Sequence, residues 1–367
     1  MKKILTLLLA LWMLTGCVAM AAGNQLVVGS TTAMSGAFFT DLFGSNTADI
    51  DVRALLHGYN LMSWDHETGT YQINDSVVAG MAVSRDAQNN RVYTFDLYGD
   101  LKFSDGSAIT AKDYAFSILL TASPELAKLG GQSAAIGAIL GMDAYQSGKS
   151  SVLRGVRLLS DTQMSITISK AYEPYFYEMA LFDYSPYPIS VLAPGCKVVD
   201  TEKGVGIVNA GGTGTAIFTA ALLQKTILDA ATGYMSHPSV VSGPYTLTSY
   251  DAQSGTASFA INPYYKGNED GEKPTIETIV YRTVANDEAI DLLLSGEVDL
   301  LNKMVAADTI SKGIQSTADQ PFSVANYPRS GLSMISFSCE RQTVSSKAVR
   351  QAIASCFDRD ALVKAYT

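Results

Sequence analysis

Histidine is scarce in this chain, with three in 367 residues (His57, His66 and His237), and none pairs with another at metal-ligand spacing. Cysteine is nearly as sparse at four, and the spacings of Cys196, Cys339 and Cys356 match no zinc pattern. A resident metal is therefore not expected, nor is any other cofactor. Three cysteines besides Cys17 cannot close a disulfide framework, so isolated buried thiols are expected, with a Cys339–Cys356 pair as the alternative. Basic residues are outnumbered, 26 Lys and Arg against 35 Asp and Glu, and form no cluster. That excludes a nucleic-acid partner and a polybasic membrane patch, and points to small molecules or proteins as partners. After the first residues no second long apolar run appears, which excludes a membrane-spanning transporter. Internal repeats and low-complexity tracts are also missing.

Catalytic signatures fail one by one. Gly148-Lys149-Ser150 ends like a phosphate-binding loop, but Asp143 stands where the first glycine must turn the backbone. Gly212-Thr213-Gly214 begins like a dinucleotide fingerprint, yet Ile217 takes the third glycine's place. Gly331-Leu332-Ser333-Met334 runs into Ile335 rather than a glycine, so it is no nucleophile elbow, and no H-E-x-x-H occurs. A hydrolase or transferase needs a nucleophile beside a base, and the scattered histidines offer none. The chain is not expected to be an enzyme.

What is present begins at the N-terminus. Lys2 and Lys3 precede an apolar run, Ile4–Leu14, too short to span a bilayer. Leu14-Thr15-Gly16-Cys17 then resembles a bacterial lipobox, in which the leader is removed and Cys17 is lipidated. Cleavage after Ala19-Met20-Ala21 is the alternative, giving a soluble exported protein. Either way residues 1–23 read as a leader and the protein works outside the cytoplasmic membrane. Loss of Lys2 and Lys3 takes the net charge from −9 to −11. Apolar content of 47% with 17% charged residues describes an ordered globular chain, long enough for two or three domains.

Gln25–Ser30 reads as a short buried strand, followed by a Gly/Ser/Thr/Phe-rich loop and a helix with Asp49 and Asp51 in its first turn. Val52, Leu55, Leu56 and Tyr59 make its apolar stripe. Tyr93–Leu97 alternates as a half-buried strand, Ser104-Asp105-Gly106 turns, and Thr110 caps a helix with Asp113 three residues on. Hairpins are predicted at 155–169 and 244–261, a turn and crossover at 172–194, and a Gly-rich loop at 204–214 before a helix at 215–231. Thr278–Val284 is predicted as strand, 287–294 as helix, 298–300 and 332–337 as strands, and 346–366 as helix. Gly44-Ser45-Asn46-Thr47 lies beside a helix start, where backbone N–H groups and hydroxyls can meet a ligand; an ordinary capped turn is the plainer reading. Phe38, Phe39 and Phe43 either wall a cleft or pack in the core.

Four segments together resemble the family 5 extracellular solute-binding proteins, the peptide-binding components of ABC importers. They are Tyr93–Leu97 with Leu101–Asp113, Ser242–Leu247 with Asn262–Gly267, Leu294–Leu300, and Val349–Ile353 with Asp358–Asp360. The resemblance implies an α/β, periplasmic-binding-protein-like fold of class II, bilobal with an extra domain. By analogy the first lobe comprises 24–55 and 186–283, the extra domain 56–185, and the second lobe starts at 284. The resemblance further implies capture of a peptide or other small solute by hinge closure and delivery to permease subunits. It places ligand contacts at Ser45, Asn46 and Thr47, faced by Gly331, Ser333, Met334 and Ser336, in a monomer anchored by lipid at Cys17. Family members continue beyond the position of Thr367, so the second lobe is expected to be incomplete and the faces carrying Val349, Ile353, Phe357 and Leu362 poorly covered. Such a polypeptide alone is expected to bind ligand weakly or not at all. A surface sensor on the same fold is an alternative that residues alone do not separate from an importer's receptor. Nickel complexes, opines and oligosaccharides are ligands of the same family.

Overall fold

A computed structural model describes residues 24–65, 67–132, 137–317, 321–326 and 334–366. The predicted leader, Cys17, His66, Gly331 and Ser333 lie outside them.

In chain order the first elements are β1 (Gln25–Ser30), α1 (Thr47–Leu56), β2 (Met62–Asp65), β3 (Thr70–Ile73), β4 (Val78–Arg85) and β5 (Arg91–Leu97). Next come α2 (Ala111–Thr121), α3 (Pro124–Ala127), α4 (Met142–Gln146), β6 (Val152–Leu153), β7 (Val156–Leu158) and β8 (Gln163–Ile168). After two short 3-10 turns follow α5 (Ile189–Leu192), β9 (Cys196–Thr201), β10 (Gly204–Asn209), α6 (Ala220–Thr226), β11 (Tyr245–Asp251) and β12 (Thr256–Ile261). The last are β13 (Thr278–Thr283), α7 (Ala289–Ser295), β14 (Leu300–Asn302), α8 (Ala307–Thr317), α9 (Lys347–Ser355) and α10 (Arg359–Tyr366).

One sheet has the order β11-β12-β13-β1-β14, with β1 parallel to both of its neighbours. The apolar face of α1 closes this sheet: Val52 and Leu56 are fully buried against Phe38, Phe259 and Tyr281. Each aliphatic side chain buried there contributes about 1.5–3 kcal/mol. On the other side, Val284, Ala289 and Val298 pack against Val27 and Leu301. A second, larger core gathers Phe95, Tyr114, Ile118 and Ile166 between α2 and the sheet β4-β5-β8-β7. A smaller sheet, β6-β10-β9, completes that unit.

Two expected borders are crossed by sheets. β6 lies in the expected extra domain and pairs with β10, beyond the border at 185/186. β14 lies beyond the border at 283/284 yet pairs with β1 in the first-lobe sheet. Several predicted elements also differ. The Gly-rich stretch from 204 is strand β10, paired along its length with β9. The helix predicted over 215–231 is confined to Ala220–Thr226, and residues 334–337 carry no strand. Cys196 is a buried free thiol as expected, whereas Cys339 and Cys356 are unpaired and exposed. Val349, Phe357 and Leu362 are exposed, matching the expected poor cover. No helix among the described residues is long and apolar enough to cross a membrane.

Candidate functional site

The loop between β1 and α1 is braced from within. Buried Asp49 accepts from the backbone N–H of Ser35 at 2.8 Å, from its hydroxyl at 2.6 Å, and from the backbone N–H of Asn46 at 3.1 Å. Asn46 returns the contact: its Oδ1 accepts from the N–H groups of Ala48 (3.0 Å) and Asp49 (3.1 Å), a capping box, while its Nδ2 donates to Ala33 O at 2.8 Å. The Asn46 side chain is thus committed to the helix end and the loop. Its neighbours point outward. Ser45 is exposed and its Oγ accepts from Arg53 Nη2 at 3.2 Å, and exposed Thr47 stands 3.5 Å from the Thr32 hydroxyl. These groups line the C-terminal edge of the parallel strands, where open α/β sheets hold ligands.

A polar knot lies at the same edge. Asp51 accepts from Tyr281 Oη at 3.0 Å and Asn302 Nδ2 at 2.8 Å, and forms an ion pair with Lys303. Lys303 follows β14 in a left-handed conformation, φ 57°. Burial, with Asp51 close by, pushes the Tyr281 hydroxyl up to about 12. Sequence reasoning missed Asn302 and Lys303. The signal available was a polar pair one residue beyond Val298-Asp299-Leu300.

Met334 and Ser336 are exposed, in a stretch without helix or strand, and among the described residues no hydrogen bond or ion pair links them to Ser45–Thr47.

Residues of three of the four motif segments hydrogen-bond to α1, β1 and their surroundings. Gly243 N–H donates to Leu56 O at 2.8 Å, and Ser242 Oγ donates to Gly58 O at 3.0 Å. Ser104 exchanges hydrogen bonds with Val241, and Asp299 accepts from the Val27 N–H at 2.7 Å. These contacts fix the C-terminal end of α1 and the start of β1.

A cavity of about 590 Å³ opens beside α1, on a different face from Asp51. Ile50, Arg53, Ala54 and His57, at i, i+3, i+4 and i+7, form one wall, and residues 175–187 form the opposite one. His57 Nε2 lies 3.0 Å from Phe38 O, and its ring meets those of Phe39 and Tyr187 edge-on. Burial, against the opposing carbonyl contact, lowers His57 to about 4, so the imidazole is neutral near pH 7. Asn60 donates to Asp183 Oδ1 at 2.6 Å and accepts from Ser185 Oγ at 2.7 Å. Burial also raises the Asp183 carboxyl, with Asn60 opposing it. No cluster of His, Cys, Asp and Glu able to hold a metal occurs among the described residues.

Comparison with known proteins identifies the architecture. The sequence pattern described as bacterial extracellular solute-binding proteins, family 5 Middle, matches residues 76–367. The oligopeptide-binding protein OppA of Lactococcus lactis is 27% identical over 233 residues, which is 62% of this chain and 32% of that protein. Lactococcal OppA, solved with an endogenous peptide in the closed conformation, superposes with a TM-score of 0.56 at 19% identity over 82% of this chain and 48% of that one. NikZ from Campylobacter jejuni, solved with Ni(L-His), gives 0.57 at 16% identity over 93% and 55%. The chain thus spans about a third of the curated relative and about half of each structure.

Proposed function

This chain belongs to the family 5 bacterial extracellular solute-binding proteins, and from that premise we propose that it captures a peptide or other small solute for an ABC importer. Its fold is the α/β, periplasmic-binding-protein-like fold of that family. In this reading the solute settles at the C-terminal edge of β13, β1 and β14, against the exposed hydroxyls of Ser45 and Thr47, with Asn46 holding the loop. Gly331, Ser333, Met334 and Ser336 close over it from a second lobe that follows β14. The first lobe is drawn from 24–55, the segment through β13, and β14, with the extra domain built on the larger core. Cys17 carries the lipid that keeps the monomer at the outer face of the membrane, within reach of the permease subunits. No bond of the solute is made or broken.

The observation that carries this reading is the braced loop. A segment of small polar residues is fixed in place by Asp49 and Asn46 at the edge of parallel strands, leaving its hydroxyls outward and unattended by any base. Ligand selection there works by hydrogen bonds and fit.

The test is native mass spectrometry of the whole protein with a mixture of two- to nine-residue peptides. Adducts of intact peptides at up to millimolar concentration are expected, weakened when Ser45 and Thr47 are both changed to alanine. Cleaved peptides, or no adduct with any peptide on folded protein, would overturn the proposal. Labelling with radioactive palmitate that disappears in Cys17→Ser tests the anchor.

A further inference from the structure

We propose that the cavity between α1 and residues 175–187 is a second binding site, which takes a small zwitterion of amino-acid size. This site opens on another face of α1 from the proposed solute cleft and does not rest on that reading, although Ser45 touches Arg53 between them.

Two opposite charges on the cavity walls are left apart. Arg53 is held by neutral partners: Nη1 donates to Ala37 O at 2.8 Å and Nη2 to Ser45 Oγ at 3.2 Å. Among the described residues it forms no ion pair. Asp183 is likewise braced by a neutral partner, Asn60, which is itself held by Ser185. It too forms no ion pair among the described residues. Both side chains line the same cavity, and both act on the hydroxyl of Tyr187, which burial and Asp41 push up and Arg53 pulls down. Opposite charges sharing a partly buried space ordinarily collapse onto each other, because an unpaired charge there is costly. Here each is tied back by its own hydrogen bonds, so the two stay separated and unmatched.

A guest that carries both signs matches both walls at once. Its carboxylate meets the guanidinium of Arg53, which keeps N–H donors free, and its ammonium meets Asp183, with Asp41 at the rim. A guest with one charge leaves the other wall unmatched, and an anion such as phosphate faces two aspartates. His57 adds no charge near pH 7 and so does not disturb this balance. The rest of the lining suits an apolar body. Phe39 and Tyr187 pack edge-to-face with centroids 4.7 Å apart, and the Tyr187 hydroxyl has no hydrogen-bond partner among the described residues. The volume of about 590 Å³ lies within the range, about 300–1,000 Å³, of small-molecule sites.

The test is titration calorimetry of the whole protein with each of the twenty L-amino acids in turn. Any that binds is repeated as its amide and its N-acetyl derivative, which each remove one charge. At least one free amino acid is expected to bind, with both derivatives weakened about tenfold or more. Ala54→Phe places a ring at an exposed helix position on the cavity wall and is expected to abolish the binding. Asp183→Asn keeps an oxygen for Asn60 and is expected to weaken it about tenfold, while Thr47→Ala, which touches Thr32 and not Arg53, leaves it unchanged. Circular dichroism confirms that each variant is folded. The proposal is overturned if no amino acid binds the folded protein, if the derivatives bind equally well, or if Ala54→Phe has no effect. Loss of binding in Thr47→Ala, with Ala54→Phe unaffected, would assign the heat to the cleft and overturn it too.

Discussion

Asn302 donates its side-chain amide to Asp51 across 2.8 Å, tying the end of β14 to a half-buried flank of α1. Tyr281 and Lys303 converge on the same carboxylate, so strands β13 and β14 and the helix between β1 and the rest of the chain share one anion. The Asp51 and Lys303 side chains are 19% and 33% exposed, too covered for the pair to be negligible and too wet for a fully buried one. Asp51→Asn is expected to cost about 2 kcal/mol, because it strips the charge from three donors. Urea unfolding measures it. A double-mutant cycle with Lys303→Met should return a coupling of about 1 kcal/mol; additivity of the two changes would mean that the pair does not act as described.

The cap at Asn46 separates stability from binding. Asn46→Ala is expected to cost about 1 kcal/mol through loss of the helix cap. Asn46→Ser, which keeps a cap oxygen but loses the donor to Ala33, should fall between the two in the midpoint of denaturant unfolding. Equal midpoints for all three proteins would show that the capping box contributes nothing.

Local patterns were legible where a residue's own neighbours decide its conformation. β1, α1 and α2 with its Thr110/Asp113 box occur as the sequence reading expects. Break points depend on details that periodicity does not carry. The helix predicted over 346–366 divides because Asp358 caps a new one, its Oδ1 accepting from Ala361 N–H at 3.0 Å. β10 was hidden by its glycines. Gly206 lies where a Cβ would come within 2.9 Å of Val152, so the residue that looks like loop is the one that lets two strands approach. The site was the least legible part. Asp51 and Lys303 are 252 positions apart, and the cavity walls come from segments joined only by the fold. The exposed hydroxyls of Ser45 and Thr47 could be found because they adjoin a helix start.

Gly243 tests why the Ser-Gly-Pro-Tyr motif takes its form. A Cβ there would meet Leu55 O and the Leu56 carbonyl carbon at 2.5 Å, both backbone atoms of the end of α1. Neither can turn aside as a side chain tip would. Gly243→Ala is expected to displace the end of α1 and lower the thermal midpoint by more than a surface change does, at a cost of about 3 kcal/mol or more. Gly44→Ala and Gly212→Ala, where open space surrounds the site, are unsuitable controls because their φ angles are positive; Gln253→Ala, at an exposed position, serves instead. A midpoint for Gly243→Ala within a degree or so of that control would remove the steric account of the motif.

Acidification sets two buried groups against each other. His57 titrates at about 4 in the folded protein against 6.5 when unfolded, so between those values the unfolded chain binds more protons and stability falls as pH falls. Burial pushes Asp113 up to about 6 from 3.8, so there the folded state binds more protons and stability rises as pH falls from 6 to 4. His57→Gln removes the first effect and leaves the second. The stability of the original protein minus that of His57→Gln should therefore decline steadily from pH 6.5 to pH 4 and level off above. A difference that is flat across that interval would mean that His57 is not held neutral by its surroundings.

Glu178 governs the far wall of the cavity. It is buried, accepts from Tyr93 Oη at 2.9 Å, and pairs with Arg91 at 2.5 Å, while Arg91 and Arg85 also hold Glu173. This network fixes the start of the 3-10 turn Glu178–Phe182, from which the chain runs into Asp183, Tyr184 and Tyr187. Glu178→Gln turns an anion into an amide that faces Arg91 with one oxygen fewer to offer, and should cost about 2–3 kcal/mol. Local rather than global loosening is expected, because β5 and β8 keep their own antiparallel backbone pairing whereas the turn is held to β5 by side chains. Hydrogen exchange should thus quicken at residues 178–187 well before it does in β5 and β8. Uniform acceleration throughout the chain would mean that Glu178 supports the whole unit and not the wall alone.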